Sequence, residues 1–168
     1  MKEHSIWQCS RELLESFDCG VDVLNEYLVR YAKQNDASGY GKTYVACEEG
    51  KAFGFYTLCS ASIEFDHMPK ELSKRLPRYP VPCVLLARLA VAKEAQGKGH
   101  GGELLKLALQ RIVLASAQIG IAFVIVKPKD EAIGFYEHYG FCPLLGGEAY
   151  VLPVATILRA MLSEKESH

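Results

Sequence analysis

The stretch "AQGKGHGGELLKLALQRIV" at residues 95–113 decides the predicted fold, because it joins four glycines within six positions to a strong helix. An almost continuously apolar run, "CVLLARLAV" at 83–91, precedes it and is typical of a strand covered on both faces. The apolar face of the predicted helix comprises Leu104, Leu105, Ala108, Ile112 and Ala115. The first amides of a helix lack internal partners, and the helix dipole leaves partial positive charge there. The strand, glycine turn and helix therefore predict a main-chain cradle for a phosphate.

The residues of the glycine turn follow a known sequence pattern. Gln96, Gly99 and Gly101 fit the pattern Q/R-x-x-G-x-G/A, and Lys98 adds a mobile cation between the glycines. The segment is not a Walker loop, because no G-K-[ST] follows. Taken alone, the pattern also fits glycines that merely permit a tight turn between a strand and a helix.

The rest of the chain alternates strand-like and helix-like segments. We expect a short strand at "SIWQCS", a helix over "CGVDVLNEYLVRYAKQND" capped by Asp18, and two strands, "KTYVACEEG" and "KAFGFYTLCSASIEF", joined at Glu49 and Gly50. A short helix in "MPKELSKRLPRYPVP", a buried strand "IAFVIV", a short helix in "KDEAIGFYEHYG" and a last strand "AYVLPV" complete the order. This order predicts an α/β fold with one sheet and helices packed on both of its faces.

Length and composition favour one compact domain over residues 1–168, since 49% of the 168 residues are hydrophobic. No apolar run approaches the roughly 20 residues that a membrane-spanning helix needs, and the polar start "MKEHS" does not resemble a secretory signal. We therefore expect a cytosolic protein without a membrane partner. The six cysteines form no C-x-x-C pair, so we expect reduced, mostly buried thiols and no metal site.

Charge is unevenly distributed although the net charge is only −1. Residues 67–98 form a basic island, defined by Lys70, Lys74, Arg75, Arg78, Arg88, Lys93 and Lys98, with only two acidic side chains. Such an island is either an ordinary solvated face or an electropositive rim that attracts a phosphate-rich ligand.

Three motifs in order, "LARLAV", "QGKGHG" and "EAIGFYEHYGF", resemble the GCN5-related N-acetyltransferases, the acetyl-CoA-dependent GNAT superfamily. Longer stretches, including "GFYTLCSASI" and "LPRYPVPCVLLARLAV", are similar to one branch, the toxins of bacterial toxin-antitoxin pairs that acetylate aminoacyl-tRNA. The resemblance covers residues 5–152. It implies a GNAT fold, which is a single mixed, mostly antiparallel sheet with a central splay.

The resemblance also implies a site. Acetyl-CoA is the implied co-substrate, with its pantetheine arm paired to the backbone of the splayed strand and its pyrophosphate held by the amides of the turn. The implied cofactor-binding residues are Leu89, Val91, Gln96, Gly97, Lys98, Gly99, His100, Gly101, Gly102 and Phe135. Tyr136 matches the tyrosine that acts as general acid toward the departing thiolate, since a phenol with a pKa near 10 stays protonated at neutral pH. For the His100 side chain, its place among the glycines favours a surface role over a catalytic base.

The implied acceptor is the α-amino group of aminoacyl-tRNA, whose acetylation would block translation. Arg88 lies in an apolar strand and must reach water, a carboxylate or a phosphate. We favour a place near the acceptor end of tRNA, together with Arg78 and Lys93, over a structural ion pair. The branch also implies a ribbon-helix-helix antitoxin and a homodimer. The alternatives are a GNAT enzyme that acts on a small amine or a protein N-terminus, and a non-catalytic module that binds CoA.

Overall fold

The computed structural model describes residues 1–167. The strands are β1 (Lys2–Ser5), β2 (Lys42–Glu48), β3 (Lys51–Ile63), β4 (Val81–Val91), β5 (Phe123–Val126), β6 (Cys142–Pro143) and β7 (Tyr150–Pro153). The α-helices are α1 (Arg11–Glu15), α2 (Asp22–Glu26), α3 (Ala32–Ala37), α4 (Lys70–Ser73), α5 (His100–Ser116), α6 (Ile133–His138) and α7 (Val154–Glu166). A π-helical segment, Tyr27–Tyr31, joins α2 to α3, and Lys93–Ala95 is a 3₁₀ turn.

The seven strands follow the order β1-β2-β3-β4-β5-β7-β6 in one sheet. Strands β1 and β2, β2 and β3, β5 and β7, and β6 and β7 pair antiparallel, whereas β4 and β5 pair parallel. The predicted mixed, mostly antiparallel sheet is therefore confirmed. The predicted hairpin is confirmed too, because Glu49 and Gly50 connect β2 to β3 with positive φ angles of 51° and 77°.

The chain divides into two compact units. The first unit comprises Met1–Cys59 with Leu86–Ala108, and the second comprises Ser60–Leu85 with the chain from Leu109 onward. The second unit has its own apolar core, which includes Ile63, Met68, Val81, Cys83, Phe123, Ile125 and Val151. There α7 follows β7 directly and buries Val154 and Ile157.

Helices cover both faces of the sheet in the first unit. Phe55 on β3 is fully buried and contacts Phe17 and Tyr27, whose ring centroids lie 5.4 and 6.3 Å from its own. Gly54 is its neighbour on the strand and so faces the opposite side. A Cβ atom at Gly54 would lie 3.0 Å from Leu104 Cδ2 and 2.9 Å from the Ala90 carbonyl oxygen. The glycine thus allows α5 to pack directly onto the strands.

Two predictions near the N-terminus are wrong. The strand ends at Ser5 instead of covering "SIWQCS", because the Ser5 amide donates to Gln8 Oε1 at 2.8 Å and residues 6–8 form a 3₁₀ turn. Asp18 does not cap the next helix, which begins at Asp22. Its carboxylate instead accepts hydrogen bonds from the Gly20 amide and the Asn25 side chain, both at 2.9 Å.

Other differences concern burial and element ends. Strand β4 is not covered throughout, because Ala87 is exposed, and Ala115 on α5 is exposed as well. The sequence predicts that Gly120 ends the long helix, but α5 already ends at Ser116. The helices α1 and α7 were not expected. The free cysteines are less buried than expected, since three of them, Cys47, Cys59 and Cys142, are only half-buried.

A charged cluster braces the first unit at Asp36. The side chain of Asp36 is only 10% exposed and accepts hydrogen bonds from Trp7 Nε1 at 3.0 Å and from Lys42 Nζ at 2.8 Å. Burial disfavours ionisation, but the hydrogen bonds from Lys42 and Trp7 outweigh it and lower the pKa of Asp36. The cluster joins the N-terminal 3₁₀ turn to α3 and the start of β2.

We expect Asp36→Ala to lower the free energy of unfolding by about 2 kcal/mol, because two hydrogen bonds to a charged group are lost. Since the folded pKa lies below the unfolded one, this contribution is complete above about pH 4 and is lost as the pH falls below that value. Urea unfolding of both proteins between pH 3 and pH 7 measures the difference. Asp66→Ala is the control because Asp66 is exposed. An equal loss of unfolding free energy in both variants would contradict the stabilising role of Asp36.

Candidate active site

The glycine turn lies between β4 and α5 in the first unit. Gly97 and Gly99 have φ angles of 75° and 85°, in the left-handed region that favours glycine. No atom lies within 4 Å of the position that a Cβ would take at either residue. The sequence predicts a helix from about Gly99 or Gly101, and α5 begins between them at His100. The Glu103 amide donates to the Gly99 carbonyl at 3.3 Å.

This geometry suits an anion. The amides of the first turn of α5 have no acceptor within the helix, and the 17-residue helix contributes a full dipole. Residues 96–99 are all exposed, and Gly97 and Gly99 have no side chain that would keep a ligand from the main chain. Lys98 is exposed in the same turn. The residues present therefore fit a pyrophosphate held by main-chain donors.

The His100 side chain packs inward. Its ring meets the Phe53 ring edge-on, with centroids 4.4 Å apart. Its Nδ1 atom is buried and has no hydrogen-bond partner within residues 1–167; Glu103 Oε2, at 3.5 Å, is too far for a good hydrogen bond. The aromatic contact gives the ring a packing role, while its backbone amide remains a predicted donor to the ligand.

Strand β4 extends well past its pairing with β5. The parallel pairing covers three residue pairs and ends at Leu85 and Ile125, whereas β4 continues to Val91. Strand β5 itself ends at Val126, one residue past the last pair, so the pairing stops where β5 ends and the predicted splay stays a prediction. Leu89 and Val91, predicted to pair with the pantetheine arm, are half-buried in the continuing part of the strand. The Val91 carbonyl already accepts a hydrogen bond from Gln96 Nε2 at 2.9 Å.

Arg88 contacts an aromatic ring. Its guanidinium carbon lies 3.5 Å from the centroid of Tyr27, the first residue of the π-helical segment, and Tyr27 in turn stacks on Phe55. A cation–π contact stabilises a partly desolvated guanidinium without a carboxylate. π-Helical segments are frequent at functional sites. The contact accounts for an arginine in an apolar strand, and a role for Arg88 toward RNA stays a prediction.

The other predicted RNA contacts lie in different surroundings. Lys93 Nζ is 3.4 Å from Asp18 Oδ2, and its side chain is 61% exposed. Arg78 belongs to the second unit, is exposed, and places its guanidinium carbon 5.9 Å from the Phe65 ring centroid. The structure therefore pairs Lys93 with a carboxylate and leaves Arg78 at the surface.

Tyr136 lies on α6 in the second unit and is only 8% exposed. Its ring contacts Phe135 and Phe141 edge-on at centroid distances of 5.1 and 5.4 Å, and Phe135 also contacts Tyr139 at 5.2 Å. Burial in this aromatic cluster raises the pKa of Tyr136 to about 12. The hydroxyl is therefore protonated throughout the neutral range, so Tyr136 is suited to donate a proton.

Possible metal ligands and thiols are spread across residues 1–167. Within residues 1–167, no group of three or more His, Cys, Asp or Glu side chains is placed to hold a metal ion. Burial raises the pKa of the Cys9 and Cys83 thiols to about 11, so both stay protonated at neutral pH. Across the same residues, none of the helices combines the length and apolar character needed to cross a membrane.

The family follows from the sequence of this chain. The family described as the acetyltransferase (GNAT) domain matches residues 39–143, more than half of the chain. The chain belongs to the GNAT acetyltransferase family. The match includes β4, the glycine turn, α5 and the segment that carries Tyr136.

Relatives within the GNAT family include proteins that act on tRNA. A tRNA-acetylating toxin of Mycobacterium tuberculosis is 39% identical over 127 residues, covering 75% of this chain and 76% of the relative. The solved structure of AtaT complexed with acetyl-methionyl-tRNAfMet is 28% identical, has a TM-score of 0.88, and covers 95% of this chain and 98% of that one. A tyrosine-to-phenylalanine mutant of AtaT, bound to the C-terminus of the antitoxin AtaR and acetyl-CoA, is 26% identical with a TM-score of 0.77; the match covers 95% and 97% of the two chains.

Sequence reasoning missed one part of this GNAT site. The loop Asp18–Gly20, which the side chain of Asn25 holds, contacts Lys93 and Gln96 at the entry to the glycine turn. The sequence carries no signal for these contacts, because more than 60 residues separate the loop from the turn. For Asp18 the sequence predicts only a helix cap, which the structure does not show.

Proposed function

We propose that this GNAT chain transfers the acetyl group of acetyl-CoA to the α-amino group of aminoacyl-tRNA and thereby blocks translation. The observation that carries the proposal is the glycine turn with exposed main-chain donors at the start of α5, in a chain whose relatives include a tRNA-acetylating toxin. The amides of Gly97 to Gly102 hold the pyrophosphate, with Lys98 as a nearby cation. The Gln96 amide, predicted as a further donor, already donates to the Lys93 carbonyl at 3.2 Å. The backbone of Leu89 and Val91 holds the pantetheine arm, and Phe135 contributes apolar contact.

Acetyl-CoA supplies an acetyl group activated as a thioester. The acceptor amine attacks the carbonyl carbon directly, so a C–N bond forms as the C–S bond breaks, and no covalent enzyme intermediate is needed. Main-chain N–H groups of β4 stabilise the negative charge that develops on the carbonyl oxygen. Tyr136 donates its hydroxyl proton to the departing sulfur, and the proton that the amine loses passes through water to restore the hydroxyl.

Exposed basic side chains support tRNA as the acceptor substrate. Lys70, Lys74, Arg75 and Arg78 are all exposed on α4 and the loop after it, which suits contacts with RNA phosphates. AtaT, a structural relative, has been solved with acetyl-methionyl-tRNAfMet. We propose that residues 1–168 act as one domain in the cytoplasm, form a homodimer, and are neutralised by a ribbon-helix-helix antitoxin.

A labelling experiment tests the acceptor. The purified chain is incubated with radiolabelled acetyl-CoA and one acceptor in each of four reactions. The acceptors are charged tRNA, uncharged tRNA, a polyamine and a peptide with a free N-terminus. We expect label in charged tRNA alone, released by mild alkali as an N-acetylated amino acid, because alkali cleaves the aminoacyl ester and leaves the amide intact. Label in the polyamine or peptide with none in charged tRNA would establish the small-amine or N-terminal alternative. A chain that binds CoA without turnover would be the non-catalytic module.

A further inference from the structure

The residues that lead into the glycine turn are fastened to the loop Asp18–Gly20. The Lys93 amide donates to the Asp18 carbonyl at 2.9 Å, and Lys93 Nζ lies 3.4 Å from Asp18 Oδ2. Gln96 Nε2 donates to the Cys19 carbonyl at 3.0 Å. A Cβ at Gly20 would lie 3.1 Å from Lys93 Cε, so the two segments are in close contact. All of these atoms belong to the first unit.

Asn25 on α2 holds the same loop from its other side. Its Nδ2 donates to Asp18 Oδ1, and its Oδ1 accepts from the Cys19 amide, each at 2.9 Å. Asp18 Oδ1 also accepts from the Gly20 amide. Asn25 therefore holds the Cys19 amide directly, and through the Asp18 carboxylate it supports the Gly20 amide that follows the Cys19 carbonyl.

Gln96 employs both hydrogens of its side-chain amide within the protein. Nε2 donates to the Val91 carbonyl at 2.9 Å as well as to the Cys19 carbonyl. The side chain thus ties the end of β4, the loop Asp18–Gly20 and the first residue of the turn together. With both donors engaged, Nε2 has no hydrogen left for a ligand.

We infer that Gln96 and Asn25 are positioning residues that hold the glycine turn in its ligand-binding shape before acetyl-CoA arrives. Glycine has more backbone freedom than any other residue, so an unanchored turn with Gly97 and Gly99 in left-handed conformations would lose entropy on binding. Anchoring the residue before Gly97 removes part of that cost in advance. The inference rests on the proposed function, because it assigns the turn to acetyl-CoA.

Two nearly isosteric variants test the anchor. Gln96→Glu replaces the two donors with an oxygen that faces two carbonyl oxygens, and Asn25→Asp places a carboxylate against Asp18. We expect each variant to weaken the Kd for CoA about tenfold while kcat changes less than about twofold, because a loss of prior ordering acts on binding and not on the chemical step. Gln96→Met removes the same donors without adding charge, and we expect the same loss.

Matched controls carry the same chemical changes elsewhere. Gln110 is an exposed residue of α5, and Asn35 lies on α3 away from the loop. We expect the variants Gln110→Glu and Asn35→Asp to bind CoA with the affinity of the wild type. Amide hydrogen exchange is measured on the ligand-free proteins. In the Gln96 and Asn25 variants we expect faster exchange at residues 97–103 than in the wild type and the controls.

Calorimetry with CoA and steady-state kinetics separate the outcomes. If the wild type does not bind CoA, the proposed function fails and the inference fails with it. If the wild type binds and the Gln96 and Asn25 variants bind equally well, only the inference is wrong. A fall in kcat with unchanged affinity, or unchanged exchange in the ligand-free turn, would also overturn it.

Discussion

Replacing Tyr136 with phenylalanine is expected to lower kcat for acetyl transfer by about 10² to 10³, the usual contribution of a positioned general acid. The substitution removes only the hydroxyl and keeps the edge-on contacts of the ring with Phe135 and Phe141. Affinity for acetyl-CoA should therefore stay within about twofold of the wild type. Growth arrest on expression in bacteria should disappear together with the activity.

Kinetics with charged tRNA and calorimetry with acetyl-CoA measure the two effects separately. Tyr139→Phe is the matched control, since Tyr139 contacts the same Phe135 ring and is only half-buried. It should retain wild-type kcat. Undiminished transfer and arrest in a folded Tyr136→Phe protein would show that another group protonates the sulfur.

The raised pKa of Tyr136 adds an expectation about pH. Because the acid form donates the proton and the pKa is about 12, ionisation of this group should not lower the rate between pH 7 and pH 10. A fall in kcat with an apparent pKa near 10, present in the wild type and absent from Tyr136→Phe, would contradict the role of burial.

Gly99→Asp is expected to weaken acetyl-CoA binding by more than about 100-fold, because it places a carboxylate where the turn is proposed to hold a pyrophosphate. The fold should tolerate the change. No atom lies within 4 Å of the Cβ position at Gly99, and Asp adopts left-handed angles more readily than most residues. An acidic group before the first turn of α5 also suits the helix dipole.

Gly50→Asp is the control for the cost of the backbone conformation. Gly50 has a φ angle of 77° and equally open space, but it lies in the turn between β2 and β3. Calorimetry should find wild-type affinity in this variant, and thermal unfolding should show similar losses of stability in both. If Gly99→Asp binds acetyl-CoA normally, the pyrophosphate is held elsewhere.

Sequence reasoning succeeded where a local pattern determines the structure. The apolar run before the glycines produced β4, and Leu104, Leu105 and Ile112 on α5 are buried as the spacing predicted. It failed where one hydrogen bond or one inserted residue changes the local geometry. Regular helical spacing predicts Tyr31 on the same face as Leu28, but the π-helical segment shifts the register, so Leu28 is buried and Tyr31 is 47% exposed.

In the candidate site too, local features were predictable from the sequence and contacts between distant residues were not. The glycine turn was predictable because left-handed conformations and close ligand approach both select glycine in sequence. The contacts of Arg88 with Tyr27 and of Gln96 with Cys19 were not, because they join residues about 60 to 80 positions apart. Tyr136 was identified by its motif, whereas its burial by Phe135 and Phe141 depends on the packing of α6.

Gly54 has a consequence for how this sequence can vary. The absence of a Cβ at Gly54 allows α5 to pack close to the strands. A methyl group there would clash with the Ala90 carbonyl and with Leu104, which lies one turn from the start of the helix. Any larger side chain would displace the N-terminal end of α5 and change the orientation of its first backbone N–H groups. Gly54 thus governs the alignment of the amides that are proposed to bind the pyrophosphate, and substitutions there should be among the least tolerated in the chain.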